Sequence, residues 1–240
     1  MPAAIFSQLR TPSRTNPHPV LITKSVSTIS SRQIKDYVLC NDCEQRFSKL
    51  GESWVLANMS RPTGFALQDA LKKAGPFAAS DGFALFSGAA IAGIDSDALV
   101  YFALSVFWRA AIHQWKSVAG NTEPIKLGPY EDEIRSFLLG GPFPANAVVT
   151  VSVWPTNNVL PAAYTPREGD APGFAVFNFM IPGIEFRLHL GSIPSELRAL
   201  CAKKSPQRVI IASASLEQET MQTFFDLMKT SKPSRRLSGN

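Results

Sequence analysis

The chain has 240 residues, of which 45% are hydrophobic and 18% are charged, and its formal net charge is +5. This composition is that of a folded protein and excludes a disordered chain, and Arg109 interrupts the longest apolar run, which excludes a membrane span. Three cysteines argue against a disulfide framework, and the proline-interrupted N-terminus lacks a signal peptide's apolar core, so we expect a cytoplasmic protein.

The first 62 residues are predicted to form an N-terminal arm followed by a small helical module. Residues 1–20 contain four prolines among serine, threonine and arginine, which favours an arm without regular structure. Residues 20–29 are rich in valine, isoleucine and threonine and indicate β-structure. Apolar residues then recur at helical spacing, which predicts a helix that begins at or just after Cys43 and runs to Met59.

The next residues, 63–230, are predicted to form an α+β body that opens with three helices. A short helix is expected over residues 66–74, where leucine and alanine fall on one face. The strongest helical pattern begins at the potential cap Asp95 and runs to about Gln114 with almost no polar face, so it belongs in the centre of the core. Three acidic residues before an apolar run predict a third helix over residues 131–139.

Period-two alternation follows and predicts four strands, over residues 147–154, 174–181, 184–190 and 208–214. A Pro-Gly turn joins the second and third of these strands into a hairpin, whereas the prolines and glycines of residues 155–173 predict a loop. Ser215, with Gln218 three residues later as in a capping box, predicts a final helix that ends near Lys229. The expected order is therefore helices first, then a mainly antiparallel sheet and a terminal helix.

Basic residues concentrate at the two ends of the chain. Residues 1–40 hold five basic residues against one acidic residue, and residues 203–240 hold seven against three, while the middle carries a net charge of −3. Residues 231–240 are predicted to be a basic disordered tail. These ends are either solvated tails or a footprint for nucleic acid, in which case the phosphate contacts are expected from Arg10, Arg14, Arg235 and Arg236.

The motif Cys40-Asn41-Asp42-Cys43 has the spacing of a zinc knuckle, in which both thiolates reach one tetrahedral ion. A structural zinc site needs about four ligands. The two cysteines are therefore either half of a zinc site or ordinary reduced thiols. The candidates for further ligands are Cys201, His18, His113 and His189.

The segment 37–52 contains Leu-Cys-x-x-Cys-Glu followed by Phe-Ser-Lys and a further glutamate, and it resembles the signature of a group of largely uncharacterised bacterial proteins. Members of that group place an upstream Cys-x-x-Cys and a Ser-His-Ile-Ile-Pro stretch before this segment, together looking like a zinc-bound HNH or treble-clef nuclease module. Residues 101–109 and 127–130 look similar to the body of the same group. The resemblance implies that Cys40 and Cys43 are zinc ligands.

The chain departs from that pattern where a nuclease would carry its catalytic groups. An HNH enzyme uses a histidine base and further metal ligands, whereas residues 1–39 contain only His18 and no upstream cysteine pair. The resemblance therefore implies either a degenerate, non-cleaving relative or a sequence in which Met1 is an internal start. We expect no nuclease activity from the chain as it stands.

A second candidate site lies in the predicted central helix, around Arg109 and His113. Arg109 either lines a pocket for a phosphate or carboxylate or pairs with an acidic residue such as those at 131–133. His113 and His189 are expected to make local hydrogen bonds, and Cys201 is expected to be a structural thiol. The sequence contains no glycine-rich phosphate loop and no nucleophile elbow.

Three kinds of function remain open from the sequence. The first is an HNH-related, non-cleaving protein with a structural zinc knuckle and basic ends that contact nucleic acid. The second is a non-catalytic interaction module or homodimeric regulator, in which Cys40 and Cys43 of two chains supply four zinc ligands. The third is an enzyme with a pocket around Arg109 and His113.

Overall fold

The computed structural model describes residues 5–6, 9, 18–22, 26–30, 36, 38–117, 120–156 and 161–233. Within these ranges the fold is α+β, as predicted. The strands are Val20–Ile22 (β1), Val26–Ile29 (β2), Ala78–Ser80 (β3), Phe83–Ser87 (β4), Trp115–Ser117 (β5), Gly120–Thr122 (β6), Ala147–Val153 (β7), Tyr164–Gly169 (β8), Phe174–Ile181 (β9), Ile184–Gly191 (β10), Val209–Ser213 (β11) and Lys232–Pro233 (β12).

The helices are distributed along the chain, and several of them lie between strands of the main sheet. They are Asn41–Phe47 (α1), Ser53–Asn58 (α2), Ala66–Ala74 (α3), Ser96–Ile112 (α4), Tyr130–Leu138 (α5), Ser195–Ala199 (α6) and Ala214–Thr230 (α7), with a π-helical turn, Ser48–Glu52, between the first two. No helix in the described ranges has the length and apolar character needed to cross a membrane.

Seven strands form the main sheet, in the order β3-β4-β11-β7-β10-β9-β8. All neighbours are antiparallel except β11 and β7, which run parallel. The predicted hairpin of β9 and β10 is confirmed, and its turn depends on Gly183, which has φ 80°. A Cβ atom there would lie 2.6 Å from the ring of Phe65, so this position favours glycine both sterically and conformationally.

The core lies between one face of this sheet and α4, which is the buried central helix that the sequence predicts. In the centre of this core, the ring of Phe179 contacts two phenylalanine rings of α4. Its ring centroid lies 5.9 Å from that of Phe102 and 4.9 Å from that of Phe107. Phe179 stacks in turn on Phe186 of β10 at 4.9 Å. The predicted cap is also present, since Asp95 Oδ1 accepts a hydrogen bond from the backbone nitrogen of Ala98 at 2.8 Å.

The helices before residue 62 contribute to this same core. Phe47, Val55 and Met59 are buried and belong to the cluster that contains Phe102. The π-helical turn brings Gly51 against α4 so closely that a Cβ atom would lie 2.8 Å from the backbone nitrogen of Phe102. Glycine at position 51 therefore permits the close approach of this segment to α4.

The starts of two helices differ from their predicted positions. α1 begins at Asn41 rather than at Cys43, because Cys40 takes the extended N-cap conformation and its carbonyl accepts a bond from Glu44 N at 3.0 Å. α7 is capped by Ser213, whose hydroxyl accepts from Leu216 N at 3.3 Å, and not by Ser215. Ser213 ends a strand and has the extended backbone that a cap requires.

The sheet also includes segments that were not predicted as strands. β8 lies within the predicted loop 155–173, and it tolerates Pro166 because it is an edge strand with a bulge between Tyr164 and Arg167. β3 and β4 precede α4, so the sheet is not confined to the part of the chain after the helices. The residues of β4 do not alternate in polarity, and β4 is fixed instead by its pairing with β11.

Candidate functional site

The cysteine pair lies at the exposed beginning of α1. Cys40 is the N-cap residue and is exposed, whereas Cys43 lies in the first turn and is half-buried. The backbone N–H of Cys43, followed by its thiol, lowers the pKa of Cys40. The hydrogen bond with Cys40 and burial raise the pKa of Cys43. The pair therefore favours a thiolate at Cys40, the more accessible of the two sulfur atoms.

This geometry suits half of a tetrahedral zinc site. The two thiols are close enough to interact and reach solvent at a free helix end, which is the arrangement of a zinc knuckle. In the part of the chain that the structure describes, no three His, Cys, Asp or Glu side chains are close enough to hold a metal ion. Any further ligand to Cys40 and Cys43 must therefore come from outside the described residues or from another molecule.

Cys201 lies elsewhere in the molecule. It is buried in a small apolar cluster with Val148 and Ile193, and its sulfur accepts a bond from Lys204 N at 3.4 Å. This environment is that of a structural thiol. The described geometry does not bring it together with Cys40 and Cys43.

Arg109 is held by an acidic residue other than those considered from the sequence. Its Nη2 lies 2.7 Å from Glu52 Oε1, its Nε donates to the carbonyl of Ser105 at 3.0 Å, and its guanidinium lies 5.6 Å from the ring centre of Phe47. The acidic residues at 131–133 begin α5, whereas Glu52 belongs to the π-helical turn that packs along α4. The partner was missed because this helix-to-helix contact is not encoded by local spacing.

His113 is the C-cap residue of α4 rather than part of its buried interior, and its side chain is 30% exposed. Its Nε2 lies 3.0 Å from Asp36 Oδ2, and its ring lies 4.9 Å from that of Trp115. The indole of Trp115 donates to the carbonyl of Arg109 at 3.1 Å. Arg109 and His113 are thus neighbours that each face a separate carboxylate.

The face of the main sheet opposite α4 carries a cluster of polar side chains, which we call the polar face. Glu185, Arg187 and His189 alternate along β10 with the apolar residues that face α4. Strand register places residues of β7, β9 and β8 beside them. The polar face comprises Thr150, Ser152, Tyr164, Arg167, Asn178, Glu185, Arg187 and His189.

Two arginines on this face are held in fixed geometry. Arg187 Nε lies 2.7 Å from Oε1 of Glu185, which is 1% exposed, and Arg167 Nε donates to Asn178 Oδ1 at 3.2 Å. The guanidinium of Arg167 also stacks 4.4 Å from the ring centre of Tyr164. Burial, and then the charge of Glu185, raise the pKa of Tyr164, so the phenol remains neutral.

His189 is the third titratable residue of β10 on the polar face. Burial and the nearby positive charge of Arg187 lower its pKa to about 4, so it is neutral at pH 7. Its Nε2 lies 3.4 Å from the hydroxyl of Thr150, and its Nδ1 is buried without a hydrogen-bond partner. The prediction of a local hydrogen bond for His189 is confirmed.

Sequence reasoning missed the polar face as a cluster. The alternation of Glu185, Arg187 and His189 is visible in the sequence and indicates a polar strand face. The available signal is that this hairpin strand carries a titratable residue at each of these three alternating positions. The partners Asn178 and Arg167 could not be assigned, because they depend on the register of two further strands.

The four arginines expected to contact nucleic acid, Arg10, Arg14, Arg235 and Arg236, lie outside the described residues. Close in sequence to both basic segments, the structure describes a small sheet in the order β1-β2-β12. In this sheet Lys232 pairs with Val26. The sheet therefore pairs a strand that precedes residue 40 with a strand that follows residue 230.

Comparisons of the chain with protein families, with curated proteins and with solved structures find no match. Functional inference for this chain therefore depends on its own residues and their geometry.

Proposed function

We propose that this protein is a non-catalytic, HNH-related assembly protein in which Cys40 and Cys43 supply half of a zinc site shared by two chains. The observation that carries the proposal is the position of the pair, since both thiols reach solvent at the free end of α1. A two-fold axis near this helix end would bring two such pairs together. The result would be a Cys₄ site, a common composition for structural zinc.

Charge balance supports this arrangement. Four thiolates around one Zn²⁺ carry a net charge of −2, which requires positive neighbours when water is excluded. Arg46 lies one turn after the pair, and its charge acts to lower the pKa of Cys43. Its Nη1 donates to the carbonyl of Leu139 at 3.2 Å, which holds the guanidinium in place. Two chains would contribute two such arginines.

The zinc content and the oligomeric state, measured on one preparation, test this proposal. We expect half a zinc ion per chain in a dimer that a chelator dissociates, because the bound metal links the two chains. The Cys43→Ala variant is expected to be monomeric and free of zinc. The Cys201→Ala variant, which removes a buried cysteine from a different cluster, should keep both zinc and dimer.

Two results would contradict the shared site. One zinc ion per chain in a monomer would mean that a single chain completes the site, and a folded wild-type protein without zinc would remove the metal altogether. We expect no metal-dependent cleavage of plasmid DNA. Cleavage that disappears with Cys43→Ala would instead support an active nuclease.

A second candidate function, association with nucleic acid, is favoured by the pairing of β2 with β12. This contact places Lys232 beside Val26, and the basic residues Arg32, Lys35, Arg235 and Arg236 are each close in sequence to one of the two paired strands. Neighbouring positive segments reinforce each other in binding phosphate. The basic residues of one end alone would offer a smaller footprint.

Salt-dependent binding of a DNA or RNA duplex tests this second function. A variant that replaces Arg10, Arg14, Arg235 and Arg236 with glutamine should bind more weakly and with a shallower dependence on salt. The matched control replaces four exposed basic residues that lie outside the two chain ends with glutamine, namely Lys49, Lys73, Lys126 and Arg135. Equal weakening in both variants would show that only net charge matters.

A further inference from the structure

Arg167 and Arg187 are both register partners of Asn178, one from β8 and the other from β10. Directly opposed residues in an antiparallel sheet point to the same face. With strands about 4.8 Å apart, the two arginine backbones lie roughly 10 Å from each other. Side chains as long as arginine can therefore reach the same group above Asn178.

The hydrogen bonds already made on this face leave donors free to bind. Because an arginine Nε can only donate, Asn178 must accept from Arg167 through Oδ1, which leaves its NH₂ group as a donor. Arg187 uses Nε for Glu185, and no described residue bonds to the terminal nitrogens of either arginine. Two guanidinium ends and one amide thus present donors at one place.

The charges of the polar face favour an anion at this place. Arg167 and Arg187 are positive, Glu185 is negative, and His189 is neutral at pH 7. The side chain of Glu185 is buried, and its Oε1 accepts a hydrogen bond from the Nε of Arg187. Glu185 therefore acts as a positioning residue, and one positive charge remains uncompensated.

The donors are accessible from solvent. Arg167 is exposed, the side chain of Arg187 is 32% exposed, and Asn178 is half-buried. α7 lies beside this face at Tyr164, where the ring of Phe224 is 6.5 Å away. The exposed side chain of Arg167 and the partly exposed side chain of Arg187 are the groups that a ligand in solution would meet first.

We propose that Arg167, Asn178 and Arg187 form a binding site for an oxyanion, the phosphate or carboxylate group of a small molecule. Planar guanidinium groups bind such oxyanions through paired, charge-assisted hydrogen bonds. The stacking of Arg167 on Tyr164 and the ion pair of Arg187 with Glu185 hold both groups before the ligand arrives. This preorganisation reduces the entropy lost on binding.

Titration calorimetry of the full chain with inorganic phosphate, and separately with acetate, at constant ionic strength tests the proposal. We expect saturable binding of at least one anion. The Asn178→Asp variant places a carboxylate between the two arginines and should weaken that binding by about tenfold or more. Its melting temperature should stay the same or rise, so lost binding cannot be assigned to unfolding.

Further variants separate this site from general charge effects. Arg167→Gln should also weaken binding by about tenfold. The matched control Arg135→Gln removes an exposed arginine from α5 and should bind like the wild type. The variant with neutralised chain ends should also retain binding, which distinguishes this site from the nucleic-acid proposal.

The preferred anion identifies the chemical source of the ligand. Tighter binding of phosphate indicates a phosphorylated small molecule, and tighter binding of acetate indicates a carboxylic acid. The proposal is overturned if neither anion binds saturably, or if Asn178→Asp or Arg167→Gln binds as tightly as the wild type.

Discussion

The two faces of the main sheet are built from the same strands but serve different purposes. The face toward α4 is aromatic and aliphatic, and Phe179 contacts three other phenylalanine rings there. The opposite face buries polar groups in the same strands, including Glu185 at 1% exposure and His189 at 6%. Burying such groups costs stability unless each is paired.

This difference indicates that the polar face, rather than the apolar face, is where a functional site should be sought. His189 Nδ1 is buried on the polar face without a hydrogen-bond partner among the described residues, which lowers the stability of the fold. Sites that hold charged groups ready for a ligand often show this loss of stability. The following experiments test the contrast between the faces.

The largest expected effect belongs to the apolar face. Phe179→Ala should lower the free energy of unfolding by about 4 kcal/mol, because it opens a cavity among three aromatic rings. Urea denaturation checks this value. Val176→Ala on the opposite side of the same strand, where the side chain is half-buried, is the control and should cost clearly less. Equal losses of unfolding free energy in the two variants would contradict the expected difference between the two faces.

The next effect concerns the pH dependence of His189. Its pKa is lowered from 6.5 to about 4 in the folded protein, so unfolding takes up a proton between these values. The contribution of neutral His189 to the free energy of unfolding is therefore fully present above pH 6.5. This contribution, roughly 3 kcal/mol, is lost as the pH falls toward 4. Unfolding free energies at pH 7 and pH 4 should differ less in His189→Gln than in the wild type. If the unfolding free energy changed equally with pH in the wild type and in His189→Gln, the lowered pKa of His189 would be contradicted.

A smaller effect is expected from breaking the ion pair on the polar face. Arg187→Ala leaves Glu185 buried and unpaired, and it should cost about 2 kcal/mol, reduced by the partial exposure of the arginine. Replacing both residues with methionine should recover most of this loss, because an apolar pair needs no compensation. Thermal melts of the three proteins give the comparison. A double variant as unstable as Arg187→Ala would show that the pair itself stabilises the fold.

The smallest effect concerns Thr150. Its hydroxyl is the described partner of His189 Nε2, at 3.4 Å, so Thr150→Val should cost about 1 kcal/mol. The exposed Thr63 offers a control, and Thr63→Val is expected to leave stability nearly unchanged. Chemical denaturation of both variants measures the difference. No loss in Thr150→Val would mean that water replaces the hydroxyl.

Local patterns predicted the elements whose apolar residues recur with a regular period. α3 is found at its predicted bounds, 66–74, and the β9–β10 hairpin was predicted to within one residue. β8 was missed because Pro166 indicates a loop, and only its position at the sheet edge makes the proline acceptable. Ser213 was missed as a cap because Ser215 and Gln218 have the sequence spacing of a capping box, although the helix begins one residue earlier, at Ala214.

The candidate sites show the same division between local and long-range information. The spacing of Cys40 and Cys43 places both residues at one helix start without knowledge of the fold. The partner of Arg109 and the pairing of Arg167 with Asn178 depend on contacts between distant segments. Periodicity describes one strand at a time, and register is set by packing across the sheet.

The order of the strands in the chain also has a consequence for biosynthesis. α4 ends at residue 112, whereas the aromatic strands that cover it, β9 and β10, lie between residues 174 and 191. At roughly 5–20 residues per second, the ribosome therefore exposes a nearly all-apolar helix for several seconds before its cover is made. The helices α1 and α2 contact α4 and are made before it, so they are the first elements of the nascent chain that can cover part of its apolar surface.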